Sequence, residues 1–172
     1  MFQFKQITPE SVPRALAKAE RYRLLNEPEE AESICEDILG VEPENQQALF
    51  TLLLAITDTF HHHVSADALS RARALLPRLK EPYYRAYYEG IICERWAKAQ
   101  YNPQRPSPFV CSVLREAMQL YEKAAQTSPP ENDDAVLRWN ACARFINNKA
   151  DLRADVQDLG PEVGFGDEAP RQ

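Results

Sequence analysis

Small and bulky residues alternate at helical spacing in residues 115–135, and this spacing predicts the local structure of the stretch. Ala117 is small, bulky Tyr121 follows four residues later, and Ala124 is small again after three more. Steps of three and four residues place side chains on one face of an α-helix. Pro129 marks the end of that helix, because proline cannot continue the helical hydrogen bonding. The stretch predicts an amphipathic helix, a turn, and the start of another helix.

The same order of residue types returns elsewhere in the 172-residue chain. One further copy keeps the full spacing, in Ala31, Cys35, Ile38 and Pro43. A fainter middle copy has Lys80 at the proline position and keeps only Ala68, Ala72 and Leu75. A partner helix precedes each copy. The second repeat is stretched around residues 61–63 and the third around residues 101–108, so the repeats are divergent.

This pattern resembles the tetratricopeptide repeat family over residues 12–147. The resemblance implies antiparallel helix pairs stacked into a right-handed α-helical solenoid. In such pairs small residues lie where two helices approach closely, and bulky residues fill the gap to the next pair. We therefore expect an all-α, tetratricopeptide-like domain over residues 1–148 with about seven helices. Residues 149–172 are expected to form an acidic, flexible C-terminal tail, with a short helix near residue 150 as an alternative for its first part.

Apolar periodicity and helix-breaking residues place the seven helices along the chain. The first is predicted over residues 9–25, with Ser11 as an alternative start. The others are predicted over residues 29–40, 46–60, 66–80, 82–99, 109–126 and 132–147. Gly40 is expected to end the second helix in a left-handed turn, and Pro77 to end or bend the fourth. The seventh helix is expected to turn one side inward, with Val136, Trp139, Ala143 and Ile146.

Composition limits the functional classes. No apolar run approaches the length of about 18 residues that a membrane span needs, and the N-terminus does not resemble a signal peptide. A cytoplasmic protein with no membrane role is expected. The net charge of −6 argues against nucleic-acid binding. Residues 61–130 nevertheless carry 10 basic and 6 acidic side chains between acidic flanks, which favours an acidic partner segment or reflects only an uneven solvated surface.

No motif indicates catalysis, and neither a cofactor nor a metal is expected. Buried thiols are favoured over disulfides or metal ligands for the four cysteines, Cys35, Cys93, Cys111 and Cys142. Three consecutive histidines, His61, His62 and His63, cannot all face one metal from a helix, and a helix-to-helix turn is the favoured interpretation. A metal- or thiol-dependent enzyme remains the less favoured alternative.

In tetratricopeptide-like arrays the first helix of each pair lines a concave groove that binds partner peptides. Carried over by position, the resemblance implies a groove lined by Glu20, Arg23, Leu24, Phe50, Leu54, Asp58, Tyr84, Tyr88, Arg95, Arg138, Ala141 and Arg144. Tyr and Arg are frequent binding hot spots. The alternative is that Tyr84 and Tyr88 only seal helix packing, and that the arginines pair with neighbouring acids.

The function expected from these residues is non-catalytic. The chain is predicted to be a protein–protein interaction module or adaptor that binds a peptide or helix in its groove. A structural alternative is a scaffold that self-associates, as a homo-oligomer, through an exposed end of the solenoid. Family members that clamp a peptide C-terminal carboxylate use a Lys and Asn set that these helices lack, so that specific activity is not expected.

Overall fold

The computed structural model describes residues 2–61, 65–105 and 107–153. The all-α class is confirmed, since these residues form helices and no β-strand. The α-helices are α1 (Val12–Leu24), α2 (Pro28–Val41), α3 (Gln46–Asp58), α4 (Ala66–Leu75), α5 (Pro82–Gln100), α6 (Pro108–Ala125) and α7 (Asp134–Asn147). Short 3₁₀ turns form at Pro9–Ser11, Thr59–His61 and Leu76–Arg78. Of the predicted tail, residues 150–153 are helical, and residues 154–172 lie outside the described residues.

Local residue chemistry explains where most helices begin and end. Pro28, Pro82 and Pro108 occupy the first turns of α2, α5 and α6, where a missing N–H costs nothing. The Asn45 side chain caps α3 by accepting a hydrogen bond from the N–H of Ala48 at 2.9 Å. Pro77 falls in the 3₁₀ turn that follows α4, so it does end that α-helix.

Asn26 closes α1 with a positive φ of 61°. The N–H of Asn26 donates to the carbonyl of Arg23, and the N–H of Glu27 donates to the carbonyl of Tyr22, both at 3.0 Å. These two bonds satisfy carbonyl groups that the end of a helix leaves without partners. The chain therefore reverses sharply into α2 after a short loop.

Two predictions from the sequence were wrong, one about how α2 ends and one about the direction in which Val136 of α7 points. Gly40 does not end α2 in a left-handed turn, because α2 runs to Val41 and Glu42 donates its N–H to the carbonyl of Ile38. In α7, Val136 is 45% exposed. The buried stripe of that helix passes through Ala135, Cys142 and Ile146 instead, which turns Val136 towards solvent.

Contacts between distant helices fix their relative directions. Near the start of both helices, Phe50 of α3 contacts Tyr84 of α5. Near their ends, Asp58 of α3 contacts Arg95 of α5. At the two ends of the α5–α7 contact, Tyr83 meets Asn132 and Tyr101 meets Phe145. Thus α3, α5 and α7 run in parallel. Val12 shares a core cluster with Ile38, so α1 and α2 are antiparallel. Each described helix packs against the next one along the chain.

Helices α5 and α6 approach each other closely at Gly90. A Cβ atom added at Gly90 would lie 2.6 Å from Cε1 of the fully buried Tyr121 ring. Ala117 and Ala124 on the same side of α6 are also fully buried. All four cysteines are buried thiols, as predicted. Within the described ranges no helix is both long and apolar enough to cross a lipid bilayer.

Candidate functional site

The predicted groove residues fall on α1, α3, α5 and α7, and the structure gathers most of them into three clusters. We call this surface the odd-helix face, and define it by the predicted groove residues together with two further residues of α5: Glu20, Arg23, Leu24, Phe50, Leu54, Asp58, Tyr84, Tyr88, Glu94, Arg95, Lys98, Arg138, Ala141 and Arg144. Phe50, Tyr84 and Tyr88 form an aromatic cluster. A second cluster surrounds Asp58 and a third surrounds Glu94.

The aromatic cluster joins α3 to α5. The Phe50 ring lies 4.6 Å from the Tyr84 ring centroid and stacks on Tyr88 at 4.9 Å. Tyr88 is only 8% exposed, and burial raises the pKa of its phenol well above the usual range. Tyr88 therefore seals helix packing and is not an exposed contact residue. Phe50 and Tyr84 are partly exposed, so they keep surface that a partner can reach.

Asp58 holds two arginines from different helices. Arg23 of α1 donates from Nε to Asp58 at 2.8 Å, and Arg95 of α5 donates from Nη1 to the other carboxylate oxygen at 2.6 Å. Arg95 also donates to the hydroxyl of Thr57 at 2.6 Å. Burial, together with the nearby positive charges, lowers the pKa of Arg95. The cluster fastens α1, α3 and α5 together on this face.

The third cluster was not predicted from the sequence. Glu94 of α5 is 1% exposed, and it accepts a hydrogen bond from the Tyr121 hydroxyl at 2.7 Å. Lys98, one turn along α5, and Arg138 of α7 pair with the same carboxylate. Burial acts to lower the pKa of Arg138, but Glu94 and the neighbouring Tyr121 and Tyr87 together more than offset this, and the pKa is raised. The one available sequence signal was the i, i+4 spacing of Glu94 and Lys98.

The remaining predicted residues lie at the margin of the odd-helix face. Leu24 is 88% exposed and stands one turn beyond Glu20, whose carboxylate accepts a hydrogen bond from Gln47 of α3. Arg144 of α7 is exposed, and no ion pair joins it to another described residue. Leu54 and Ala141 are partly buried. The structure thus brings together Arg23, Asp58 and Arg95, and leaves Leu24 and Arg144 at opposite edges.

Positive charge exceeds negative charge in the two ionic clusters. Each of the two carboxylates is shared by two cations: Asp58 by Arg23 and Arg95, and Glu94 by Lys98 and Arg138. Guanidinium groups carry five donors each. The buried Nε of Arg138 has no hydrogen-bond acceptor among the described residues. Each of the two clusters therefore holds one more positive than negative side chain.

Three of the four cysteine thiols have pKa values that burial raises. Burial raises the pKa of Cys35 and Cys142 to about 12 and that of Cys93 to about 11, whereas reactive cysteines have lowered pKa values. His61 is exposed at the end of a 3₁₀ turn, and His62 and His63 lie outside the described residues. Among residues 2–61, 65–105 and 107–153, no group of three His, Cys, Asp or Glu side chains could hold a metal ion.

Comparison of the chain with protein-family models, with curated proteins and with solved structures finds no significant match.

Proposed function

We propose that the protein is a non-catalytic, tetratricopeptide-like interaction module that binds a segment of another protein on the odd-helix face. The segment carries carboxylates and at least one large apolar side chain. The observation that carries the proposal is the pairing of an unbalanced cationic network with partly exposed aromatic rings on one face. Parallel α3, α5 and α7 support the helix arrangement that such a groove needs.

The arginines contribute to binding through their remaining donors. Arg23, Arg95 and Arg138 are held in place by Asp58 and Glu94, so little side-chain freedom is lost when a carboxylate arrives. Bidentate Arg–carboxylate contacts are stronger than neutral hydrogen bonds. The partly exposed rings of Phe50 and Tyr84 offer the apolar contact beside them.

The residues that hold the face together are poor choices for a binding test, because replacing them also weakens folding. Leu24 and Arg144 are better choices, since both are exposed and neither supports the core. Lys123 of α6 is exposed outside the odd-helix face and serves as the matched control. Each residue is changed to Glu, which adds repulsion against a carboxylate-bearing ligand.

The test uses the full chain as bait against a displayed peptide library, followed by titration of the selected peptides. We expect the selected peptides to be enriched in Asp or Glu together with Leu or an aromatic residue. Leu24→Glu and Arg144→Glu should weaken their binding at least about tenfold, or about 1.4 kcal/mol. Lys123→Glu should leave binding unchanged. Selected peptides without carboxylates, or equal binding by all three variants, would contradict the proposal.

A further inference from the structure

The outer side of α1 is a basic stripe that the other described helices leave largely exposed. A cleft of about 570 Å³ is lined by five residues of α1 and by Leu25, which directly follows the helix; the five are Arg14, Ala17, Lys18, Arg21 and Tyr22. They recur at steps of three and four residues, so they share one side of the helix. In the described part of the chain, α1 packs mainly against α2 and α3, which lie on its other sides.

The cations of this stripe are available for a partner. Arg14, Lys18 and Arg21 make no ion pair with any other described residue. Lys18 only lies over the Tyr22 ring, with its Nζ 5.6 Å from the centroid. Leu25, at the end of the stripe, is 57% exposed. The stripe therefore combines unpaired positive charge with apolar surface, which indicates an interaction site.

The neighbouring helix α2 carries an acidic stripe along the side that borders α1. Ile34 marks that side, because it packs into the same cluster as Val12 of α1. Glu30 lies four residues before Ile34 and Asp37 three residues after it, so both occupy its side of α2. Both carboxylates are exposed, and neither forms an ion pair within the described ranges. Glu32 lies on the opposite side, where it pairs with Arg71 of α4.

We propose that the α1–α2 hairpin is a dimerisation surface whose occupant is a second copy of this chain. In a two-fold dimer with its axis parallel to the helices, the basic stripe of each copy packs on the acidic stripe of the other. Val12 packs near Ile38, and α1 and α2 are antiparallel. Arg14 and Asp37 therefore lie at about the same height along the hairpin, and so do Arg21 and Glu30. A two-fold axis across the helices would instead set α1 on α1, and the like charges would repel.

Charge complementarity selects a second copy as the occupant, because one hairpin supplies both stripes. The Phe4–Gln6 segment borders Ser33, Asp37 and Gly40 of α2, so it reaches the Asp37 end of the acidic stripe, whereas Glu30 lies outside that cleft. An interface of two helices is small, and its ion pairs are exposed to salt. The dimer should therefore depend on protein concentration and weaken as salt is raised. This surface is separate from the odd-helix face and does not depend on its proposed function.

The experiment is a charge swap on the untagged full chain, followed by sedimentation at low salt over a range of protein concentrations. The first variant carries Lys18→Glu and Arg21→Glu, which makes both stripes acidic. The second carries Glu30→Lys and Asp37→Lys, which makes both stripes basic. We expect the wild type to dimerise, each variant alone to stay monomeric, and an equimolar mixture of the two variants to form a heterodimer. Recovery in the mixture also shows that both variants are folded.

Three results would overturn the proposal. The first is a wild-type chain that stays monomeric at every concentration. The second is either variant dimerising as well as the wild type. The third is a mixture that stays monomeric although both variants keep wild-type helicity by circular dichroism. The wild type could instead stay monomeric and bind a synthetic glutamate-rich helical peptide. If Lys18→Glu and Arg21→Glu then abolish that binding, the basic stripe binds a different acidic protein and not a second copy.

Discussion

Replacing a glycine by alanine should have opposite effects at two helical positions of this protein. At Gly40 an added Cβ meets no atom within 4 Å. At Gly90 it lies 2.6 Å from Cε1 and 2.9 Å from Cδ1 of Tyr121, whereas carbon atoms in contact normally lie about 3.5–4.0 Å apart. In both helices the substitution itself favours folding by roughly 0.5–1 kcal/mol, because alanine loses less backbone freedom than glycine.

The difference at Gly90 comes from what Tyr121 must do. To relieve the overlap, the buried ring must shift by about 1 Å, and overpacking of this kind costs about 1–3 kcal/mol. The shift also stretches the 2.7 Å hydrogen bond from the Tyr121 hydroxyl to Glu94. Hydrogen bonds to charged groups contribute about 1.5–3 kcal/mol. We expect Gly90→Ala to lower the free energy of unfolding by about 2–3 kcal/mol, and Gly40→Ala to raise it by about 0.5–1 kcal/mol.

Equilibrium urea unfolding, followed by circular dichroism at 222 nm as a standard helix signal, measures both changes from the transition midpoints. Adding Tyr121→Leu separates steric overlap from a general loss of stability. In that background the Gly90→Ala penalty should shrink by about 1 kcal/mol or more, as expected for residues in contact. Steric overlap with Tyr121 is ruled out if Gly90→Ala unfolds at the wild-type urea midpoint. It is also ruled out if the loss of unfolding free energy caused by Gly90→Ala is unchanged in the Tyr121→Leu background.

Three further changes test other parts of the structure. Asp58→Asn should lower the free energy of unfolding by about 2 kcal/mol, because two largely buried arginines lose their shared partner; the exposed control Glu116→Gln should stay within about 0.5 kcal/mol, and equal urea midpoints would argue against the network. Glu131 has a φ of 63°, so Glu131→Gly should gain about 0.5–1 kcal/mol, seen as a higher melting temperature; a lower one would contradict this. Burial raises the pKa of Cys35 to about 12, while an unfolded thiol ionises near about 8.5. The unfolded state therefore binds fewer protons between these values, and stability that is complete below about pH 8.5 is lost on going to higher pH, by up to about 1.4 kcal/mol per unit. Cys35→Ala should remove that part of the slope in unfolding measured between about pH 8.5 and 10.5, and an unaltered slope would refute it.

Much of the fold could be predicted from the sequence, because local residues determine most helix ends. Proline in a first turn and Asn45 as a cap act within a few residues of themselves. Gly40 misled the prediction, since a glycine marks a helix end only where the backbone takes a positive φ. Asn26 takes that conformation instead, and asparagine is the commonest alternative to glycine there.

The odd-helix face was harder to predict, because it depends on contacts between residues far apart in the sequence. Tyr84 and Tyr88 look equivalent in the sequence, but the packing of α5 against α3 and α6 buries Tyr88 and leaves Tyr84 partly exposed. The fold tolerates the buried carboxylate of Glu94 because Arg138 and Tyr121 contact it from two other helices. Periodicity within one helix contains no information on such partners.

The most direct test of the proposed function is the affinity of one selected acidic peptide for four proteins. These are the wild type, Leu24→Glu, Arg144→Glu and the control Lys123→Glu, measured by calorimetric titration at one salt concentration. We expect the wild type and the control to bind the peptide with equal affinity. The two variants at the edges of the odd-helix face should bind it at least about tenfold more weakly. Equal affinity for all four proteins, with helicity unchanged, would place the binding surface elsewhere and contradict the account.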